Sequence, residues 1–293
     1  MKPVSITPLL AFQDVSIDYG PFRAVDGVTL ALRPGETLGL AGESGSGKST
    51  LGRAALRLSP LAAGAIYMEG ERISGPIPRD RARRLPGRLQ MIFQDPMASL
   101  NERAKVEYIV TEGLMNGPRR LSARERRAVG LKALEAVGLD GAMMDRFPHE
   151  FSGGQRQRIG IARALVMDPA CIIADEPVSA LDVSARAQVL NLMAQLKRQR
   201  NMGYLFISHD LALMGYFCDR IAVLCRGRLV ELAPAEALFT KPAHAYTRAL
   251  LAAAPLPDPD APRTAAPAWK PPKGNAPLRQ IAPGHFVRMD GKG

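Results

Sequence analysis

One nine-residue segment combines glycine, lysine and hydroxyl side chains in a spacing that suits phosphate binding. It fits the pattern G-x-x-x-x-G-K-[ST] without mismatch, and its members are Gly42, Glu43, Ser44, Gly45, Ser46, Gly47, Lys48, Ser49 and Thr50. The glycines let the backbone curl, so that successive N–H groups point into one concavity. Lys48 reaches the β- and γ-phosphates of a nucleotide, and the Ser49 hydroxyl is a ligand for Mg²⁺.

Two acidic residues follow a second apolar segment, more than a hundred residues further along the chain. Residues 171–174 are apolar, and Asp175 and Glu176 come directly after them. Asp175 is placed to hold Mg²⁺, either directly or through water. Glu176 is placed to take a proton from an attacking water molecule. The pair therefore predicts the hydrolytic half of the same nucleotide site.

The segments that must position these residues alternate between strand and helix patterns. Strands are predicted at 9–15, 25–32, 37–41, 65–68, 89–93, 171–174 and 204–208, and helices from 51 and at 155–166 and 184–200. This alternation favours an α/β fold with a mostly parallel sheet and helices on both faces.

Two changes of pattern divide the chain. Between about 98 and 152 the periodicity is helical and broken by Gly-Pro, which predicts an inserted α-helical subdomain within a first domain spanning 1–253. From 254 to 293 the composition becomes rich in proline. This composition predicts a C-terminal extension whose first part is an extended tail or linker.

Bulk composition places the chain among ordinary globular proteins. It has 293 residues, of which 46% are hydrophobic and 23% charged, and no apolar run approaches the ~20 residues of a membrane span. The N-terminus lacks the pattern of a signal peptide, so a cytosolic protein is expected. The three cysteines lack metal-site spacing, so neither zinc nor disulfides are expected, and Cys171 is predicted to be a buried core thiol.

The net charge of +11 comes partly from two arginine-rich segments, 79–84 and 119–127. Nucleic-acid binding and contact with an anionic membrane surface are two functional interpretations. Solvated helix faces are the third interpretation and the favoured one. No aromatic residues interleave with these arginines as they would in a groove for single-stranded nucleic acid.

A serine–glycine segment gives the chain its resemblance to a known family. Ser152, Gly153, Gly154 and Gln155 open a predicted helix, where backbone N–H groups favour anionic oxygens. The segment resembles the signature loop of ATP-binding-cassette ATPases, Leu-Ser-Gly-Gly-Gln, with Phe151 in place of leucine. The resemblance covers about residues 9–255.

Four further residues match this family in chain order. Gln94 resembles the glutamine that senses Mg²⁺ and water and couples to the membrane subunit. Asp182 ends a segment similar to the loop that crosses the dimer interface. His209 resembles the switch histidine that contacts the γ-phosphate, and Tyr19 resembles the aromatic residue that stacks on adenine.

The resemblance implies a P-loop NTPase fold with an additional antiparallel β-subdomain. It also implies ATP and Mg²⁺ as cofactors and a head-to-tail dimer of cassettes. ATP would lie between the phosphate loop of one cassette and the signature loop of the other. Hydrolysis would then open the dimer and move the attached subunits.

Other segments narrow the resemblance to the ATPases of oligopeptide and dipeptide importers. These segments are 94–101, 147–155, 175–184 and 244–251. Residues 48–53 look more like the second ATPase of a pair, so a heterodimer is expected, with a homodimer as the alternative. The subfamily implies two transmembrane permease subunits, an extracytoplasmic substrate-binding protein, and a peripheral position on the cytoplasmic face of the inner membrane. No nucleic acid is expected as a partner.

Three alternatives stay open. The same subfamily includes nickel and glutathione importers, and no residue of an ATPase subunit touches the transported substrate. A soluble cassette protein acting on nucleic acid or ribosomes would suit the basic charge, although such proteins usually carry two cassettes or long coiled coils. An exporter would often carry fused membrane helices, which this chain lacks. No cysteine follows Cys225, so the iron–sulfur cluster of some subfamily members is not expected here.

Overall fold

The computed structural model describes residues 7–95, 99–115, 117, 120–253 and 277–289. Within these ranges the strands are β1 (Leu10–Tyr19), β2 (Phe22–Leu32), β3 (Thr37–Ala41), β4 (Ala63–Met68), β5 (Glu71–Arg72), β6 (Leu89–Ile92), β7 (Cys171–Asp175), β8 (Gly203–Ile207), β9 (Arg220–Cys225), β10 (Arg228–Pro234), β11 (Leu278–Ala282) and β12 (His285–Arg288).

The helices connect these strands and cover the sheet. They are α1 (Lys48–Ala55), α2 (Arg79–Arg88), α3 (Val106–Met115), α4 (Ala123–Ala136), α5 (Gly153–Leu165), α6 (Val183–Arg200), α7 (Leu211–Phe217), α8 (Ala235–Thr240) and α9 (Ala245–Ala253). The predicted interval 98–152 contains α3, α4 and two short 3₁₀ helices. Apolar residues of α3 and α4 pack with α5 in one cluster, although the limits of a subdomain remain a prediction.

Five consecutive strands of the larger sheet, from β9 to the edge strand β6, pair in parallel, in agreement with the predicted mostly parallel sheet. The order is β11-β12-β10-β9-β3-β8-β7-β6, and β6, β7, β8, β3 and β9 pair in parallel. The strands β10, β12 and β11 extend this sheet with antiparallel pairing. The carboxyl ends of the parallel strands meet along one edge, which is where ligands bind in open α/β sheets.

The inner strands are predominantly apolar because both faces of the sheet are covered. All residues of β3, β7 and β8 are buried. Along β7, Cys171 and Ile173 pack with α1 and the strands β1, β2 and β4. Ile172 and Ala174 enter the opposite core, which contains residues of helices α3 to α8. Because successive side chains of a strand point to opposite faces of the sheet, β7 contributes side chains to two separate cores.

A second, four-stranded antiparallel sheet matches the expected β-subdomain. Its order is β2-β1-β4-β5. It shares a core with α1, so one face of the central sheet is covered by a helix together with a sheet rather than by helices alone.

The arginine-rich segments lie largely on exposed helix faces. No residue of α2 is buried, and its Arg81, Arg84 and Arg88 pair with carboxylates. On α4, Arg127 pairs with both Glu107 and Asp145. This arrangement fits solvated helix faces. Within the described ranges we find no helix with both the length and the apolar composition of a membrane span.

All three cysteines, Cys171, Cys218 and Cys225, are buried and form no disulfide bond. Cys171 is fully buried within β7, as predicted. The thiol side chains therefore contribute to the packed cores as small apolar groups.

The end of the chain returns to the central sheet. Residues 254–276, and with them the predicted proline-rich linker, lie outside the described residues. Beyond them β11 and β12 form a hairpin, and Phe286 of β12 pairs with Leu232 of β10. Sequence analysis missed this hairpin because four of the five residues of β11 are exposed and show no apolar alternation.

Candidate nucleotide site

The predicted phosphate loop connects β3 to α1. Gly47 precedes the first helical residue, so the unpaired N–H groups of the first turn point toward the concavity of the loop. Glu43, Ser44 and Gly45 are exposed, whereas Ser46 and Lys48 are buried. Thr50 lies in the first turn of α1 and is partly buried.

Lys48 lies folded over its own loop. Its Nζ donates to the carbonyl oxygens of Gly42 at 2.8 Å and Glu43 at 2.7 Å, and to Ser46 Oγ at 3.3 Å. Burial lowers the pKa of Lys48, while the nearby carboxylates of Glu176, Asp175 and Glu43 oppose that shift. The ammonium group is thus held where the phosphates of a nucleotide could take over its hydrogen bonds.

The phosphate loop is anchored against the turn between β9 and β10. The carbonyl of Ser46 accepts a hydrogen bond of 3.0 Å from the N–H of Gly227. Gly42 adopts φ +144°, and a Cβ at this position would overlap the carbonyl oxygen of Leu224. Gly45 also has a positive φ of +77°, but a Cβ there would meet open space.

Alanine at Gly42 should therefore be far more disruptive than alanine at Gly45. Gly45→Ala should cost only the strain of a left-handed backbone, about 1 kcal/mol of unfolding free energy. Gly42→Ala adds a backbone clash and should cost about 3 kcal/mol. Denaturant unfolding of both nucleotide-free variants measures the difference, and equal losses would contradict this account of the loop.

Ser49 and Asp175 bring two oxygen groups together at the carboxyl end of β7. The Ser49 hydroxyl donates to Asp175 Oδ1 at 2.7 Å, and the carboxyl group is almost fully buried. Burial raises the pKa of Asp175, and the hydrogen bond from Ser49 and the charge of Arg53 act in the opposite direction.

This donor set fits a small divalent cation such as Mg²⁺, which prefers oxygen ligands. Among the described residues, no group of three or more His, Cys, Asp and Glu side chains could hold a metal alone. Mg²⁺ in nucleotide sites commonly takes its other ligands from phosphates and water, so two protein oxygens are a sufficient framework.

The structure places the side chains of Gln94 and His209 against the carboxylate of Glu176. Gln94 Nε2 donates to Glu176 Oε2 at 2.9 Å, and His209 Nδ1 lies 3.0 Å from Glu176 Oε1. A carboxylate without a proton can only accept, so with an ionised Glu176 this bond requires the His209 tautomer that carries its proton on Nδ1. The three residues follow β6, β7 and β8, which are neighbours in the sheet, so their side chains meet at one edge.

The backbone of Glu176 has a left-handed conformation that aims this carboxylate. Its φ is +48°, and its N–H donates to the carbonyl oxygen of Ile207 at 2.9 Å. A positive φ is uncommon for a residue with a Cβ and is often found at functional sites. Only 17% of the Glu176 side chain is exposed, compared with 63% for His209.

The signature residues and Asp182 form a second group at two helix starts. Ser152 and Gln155 form a reciprocal capping box at the start of α5, with bonds of 3.3 and 3.0 Å. Asp182 caps α6 by accepting from the N–H of Ala185 at 2.8 Å. A Cβ on Gly154 would lie 3.2 Å from the Cβ of Ala185, so the two helix starts are neighbours.

The hydrogen bonds of this second group remain local. Those of Ser152, Gln155 and Asp182 close the first turns of their own helices, and none reaches the phosphate loop. The structure therefore places the predicted nucleotide contacts in two groups within the described chain. A Cβ built on Gly153 would lie 3.7 Å from Leu181 Cδ2, so Gly153 and Leu181 are neighbours.

Tyr19 lies at the end of β1 with 48% of its surface exposed. Its hydroxyl shares a hydrogen bond of 3.1 Å with Ser59 Oγ. The ring therefore has an accessible face, and its role in adenine stacking remains a prediction.

Sequence analysis missed one contact to the phosphate loop. The backbone N–H of Glu43 donates to the hydroxyl of Tyr246 at 3.0 Å, across 203 positions of sequence. Residues 244–251 resemble a segment of the peptide-importer ATPases, but their pattern does not predict this contact.

Comparison with known proteins gives two matching sequence families. The family described as "ABC transporter" matches residues 25–179, more than half of the chain. The family described as "Oligopeptide/dipeptide transporter, C-terminal region" matches residues 230–284. The second match includes Tyr246 and the start of the C-terminal hairpin.

Individual relatives agree with these matches. The oligopeptide transport ATP-binding protein AmiF of Streptococcus pneumoniae is 51% identical over 86% of this chain and 83% of its own length. The oligopeptide transport ATP-binding protein OppF of Bacillus subtilis is 48% identical over 92% and 90%. Among solved structures, the dimeric ATP-binding cassette MJ0796 in a post-hydrolysis state with ADP and Pi has a TM-score of 0.69 and 25% identity, over 77% of this chain and 98% of that one.

Proposed function

The chain belongs to the ATP-binding-cassette family of transporter ATPases, and on that basis we propose that it is the ATP-hydrolysing subunit of an importer of di- and oligopeptides. The observation that carries the ATPase proposal is the Glu176 carboxylate, held by Gln94 and His209 beside the phosphate loop. A carboxylate fixed in this way is suited to accept a proton from water as it attacks the γ-phosphate. The peptide class is supported by the names of the close relatives and by the C-terminal match.

We propose the remaining roles from the phosphate-loop pattern and the family resemblance, and the positions of the residues are consistent with them. Lys48 and the N–H groups of the loop would hold the β- and γ-phosphates, and their positions relative to Glu176 would orient the γ-phosphate for in-line attack. Ser49 and Asp175, with Gln94, would hold Mg²⁺, which neutralises phosphate charge when bound. His209 would contact the γ-phosphate while keeping Glu176 in place. Tyr19 would stack on the adenine.

The two groups of site residues suit a site completed by a second cassette. The N–H groups at the start of α5, a 13-residue helix, are suited to bind an anion. The capping-box hydrogen bonds at this helix start stay within its first turn and do not connect it to the phosphate loop of the same chain. We propose that Ser152, Gly153, Gly154 and Gln155 contact the ATP held by the partner cassette, with Asp182 at the interface. A solved relative of this fold, MJ0796, is a dimer with ADP and Pi.

The expected assembly has four chains and one external component. We propose a heterodimer of ATPases on two permease subunits at the cytoplasmic face of the inner membrane, served by an extracytoplasmic substrate-binding protein. The resemblance of residues 48–53 to the second ATPase of a pair supports the heterodimer. A homodimer is the alternative outcome. Isolation of the assembly from native membranes, followed by mass spectrometry of its components, distinguishes the two.

Uptake by cells tests the transported class. Cells without this chain should lose uptake of labelled dialanine or pentaalanine, and the wild-type chain should restore it. A chain with Glu236→Gln should restore uptake as well as the wild type does, since Glu236 is an exposed residue of α8 outside the site. Loss of nickel or glutathione uptake with unchanged peptide uptake would instead assign one of the alternative substrates. Co-isolation with ribosomal proteins in place of permeases would refute the transport function.

A further inference from the structure

We propose that Tyr246 is a positioning residue for the phosphate loop, and that the buried Glu231 couples this support to the C-terminal strand β12. The inference rests on the proposed ATPase function and deepens it. Tyr246 lies on α9, and its hydroxyl contacts the backbone N–H of Glu43. It acts through the backbone of Glu43.

The peptide groups of Glu43 connect Tyr246 to Lys48. The N–H of Glu43 donates to the Tyr246 hydroxyl at 3.0 Å, and the carbonyl oxygen of Glu43 accepts from Lys48 Nζ at 2.7 Å. Only 1% of Tyr246 is exposed, and burial raises its pKa to about 12. The hydroxyl is therefore neutral at physiological pH. The hydroxyl restrains the loop at Glu43, and the carbonyl oxygen of Glu43 also accepts the hydrogen bond from the Lys48 ammonium.

A buried carboxylate fixes the turn from which α9 begins. Glu231 on β10 is fully buried, and its two oxygens accept from the N–H groups of Ala243 at 2.8 Å and His244 at 2.9 Å. The Tyr246 N–H then donates to His244 Nδ1 at 3.1 Å. The first turn of α9, and with it the Tyr246 side chain, is thus anchored to the central sheet.

The same carboxylate reaches the C-terminal hairpin. His285 Nε2 lies 2.7 Å from Glu231 Oε1, and His285 is 5% exposed at the start of β12. Strand β12 also pairs with β10 through Val287 and Glu231. A continuous set of hydrogen bonds therefore runs from the C-terminal extension through Glu231 to the phosphate loop.

This arrangement predicts an effect on nucleotide affinity rather than on the chemical step. A preorganised loop binds phosphate with less loss of conformational freedom than a mobile one. Without the Tyr246 hydroxyl, the N–H of Glu43 loses its partner and the loop is less restricted. Glu176, Gln94 and His209 keep their positions, so the hydrolysis rate at saturating ATP should change little.

Tyr246→Phe removes one hydroxyl and keeps the ring that fills the core. Calorimetric titration of the full-length chain with ADP and Mg²⁺ should give a Kd about five-fold higher than that of the wild type, the effect of one hydrogen bond. In the assembled transporter the KM for ATP should rise by a similar factor, with kcat within about two-fold.

Tyr204→Phe is the matched control. Tyr204 is a fully buried tyrosine on β8 whose hydroxyl has no hydrogen-bond partner. Its variant should bind ADP as the wild type does. A thermal midpoint for Tyr246→Phe close to that of Tyr204→Phe would show that both variants are folded. A wild-type Kd for Tyr246→Phe would overturn the inference.

Coupling to β12 is tested by a double-mutant cycle. His285→Ala should weaken ADP binding by less than Tyr246→Phe does, and His285→Gln, which retains a donor, should recover part of the loss. If His285 acts through Tyr246, the double variant binds no more weakly than Tyr246→Phe alone. Additive losses would refute the coupling. No ADP binding by the wild-type chain would refute the proposed function itself, whereas equal binding by wild type and Tyr246→Phe refutes only the positioning role.

Discussion

Glu176→Gln should retain nucleotide binding and lower the ATP turnover rate by a factor of about 10² to 10⁴, the usual contribution of a general base. Glutamine has nearly the shape of glutamate but cannot accept the proton of the attacking water. It also offers one acceptor oxygen, whereas Gln94 and His209 both direct donors at the present carboxylate. Lys48 and the phosphate loop are unchanged, so ATP should still bind.

Phosphate release by the assembled transporter measures this turnover, and light scattering measures the dimer. With ATP present, the Glu176→Gln chain should accumulate in a closed dimer with its partner ATPase, because the γ-phosphate that we propose joins the two cassettes persists. Glu236→Gln changes the same functional group on an exposed helix and should behave as the wild type does. Normal turnover by Glu176→Gln would remove Glu176 from the role of base.

Lys48→Ala should lower the affinity for ADP and ATP by a factor of at least about 10², since hydrogen bonds to charged groups contribute about 1.5–3 kcal/mol each. The ammonium is already positioned in the loop by the carbonyls of Gly42 and Glu43. Its removal takes away both the positive charge and the donors for phosphate. Burial lowers the pKa of Lys48, so the charged form gains little from folding and the variant should remain folded.

Calorimetry with ADP and Mg²⁺ measures the loss for Lys48→Ala. The control is Lys132→Ala, which removes an exposed ammonium from α4 and should leave the affinity unchanged. An unchanged ADP affinity in Lys48→Ala would contradict the phosphate-loop assignment. A parallel thermal unfolding measurement separates loss of binding from loss of fold.

The parts of the site that depend on local pattern could be predicted from the sequence. The phosphate loop needs a strand before it and a helix after it, and both follow from apolar runs within a few residues of Gly42 and Lys48. The convergence of Gln94, Glu176 and His209 cannot be predicted from local sequence pattern alone. Each follows a predicted strand, but the adjacency of β6, β7 and β8 is a property of the sheet order, which no periodicity specifies. The family resemblance indicates only that these residues belong to one nucleotide site.

Long-range contacts were beyond prediction for a physical reason. Tyr246 and Glu43 meet because α9 returns to the phosphate loop, and a single hydroxyl-to-amide bond leaves no signal in hydrophobic spacing. Glu231 lies in an apolar strand as a fully buried carboxylate, which sequence rules would expect to be exposed. Its burial is understandable only when the donors of Ala243, His244 and His285 are known.

The burial of every native thiol makes the chain ready for site-specific labelling. Burial raises the pKa of Cys171 and Cys218, and all three cysteines are shielded from solvent, so maleimide reagents should react slowly with the folded protein. Val183 follows Asp182 and is 82% exposed. A Val183→Cys chain would therefore accept a single spin label or fluorophore beside the proposed dimer interface. With a second label placed on the partner ATPase, the distance between the two labels would report the opening and closing of the cassettes during turnover.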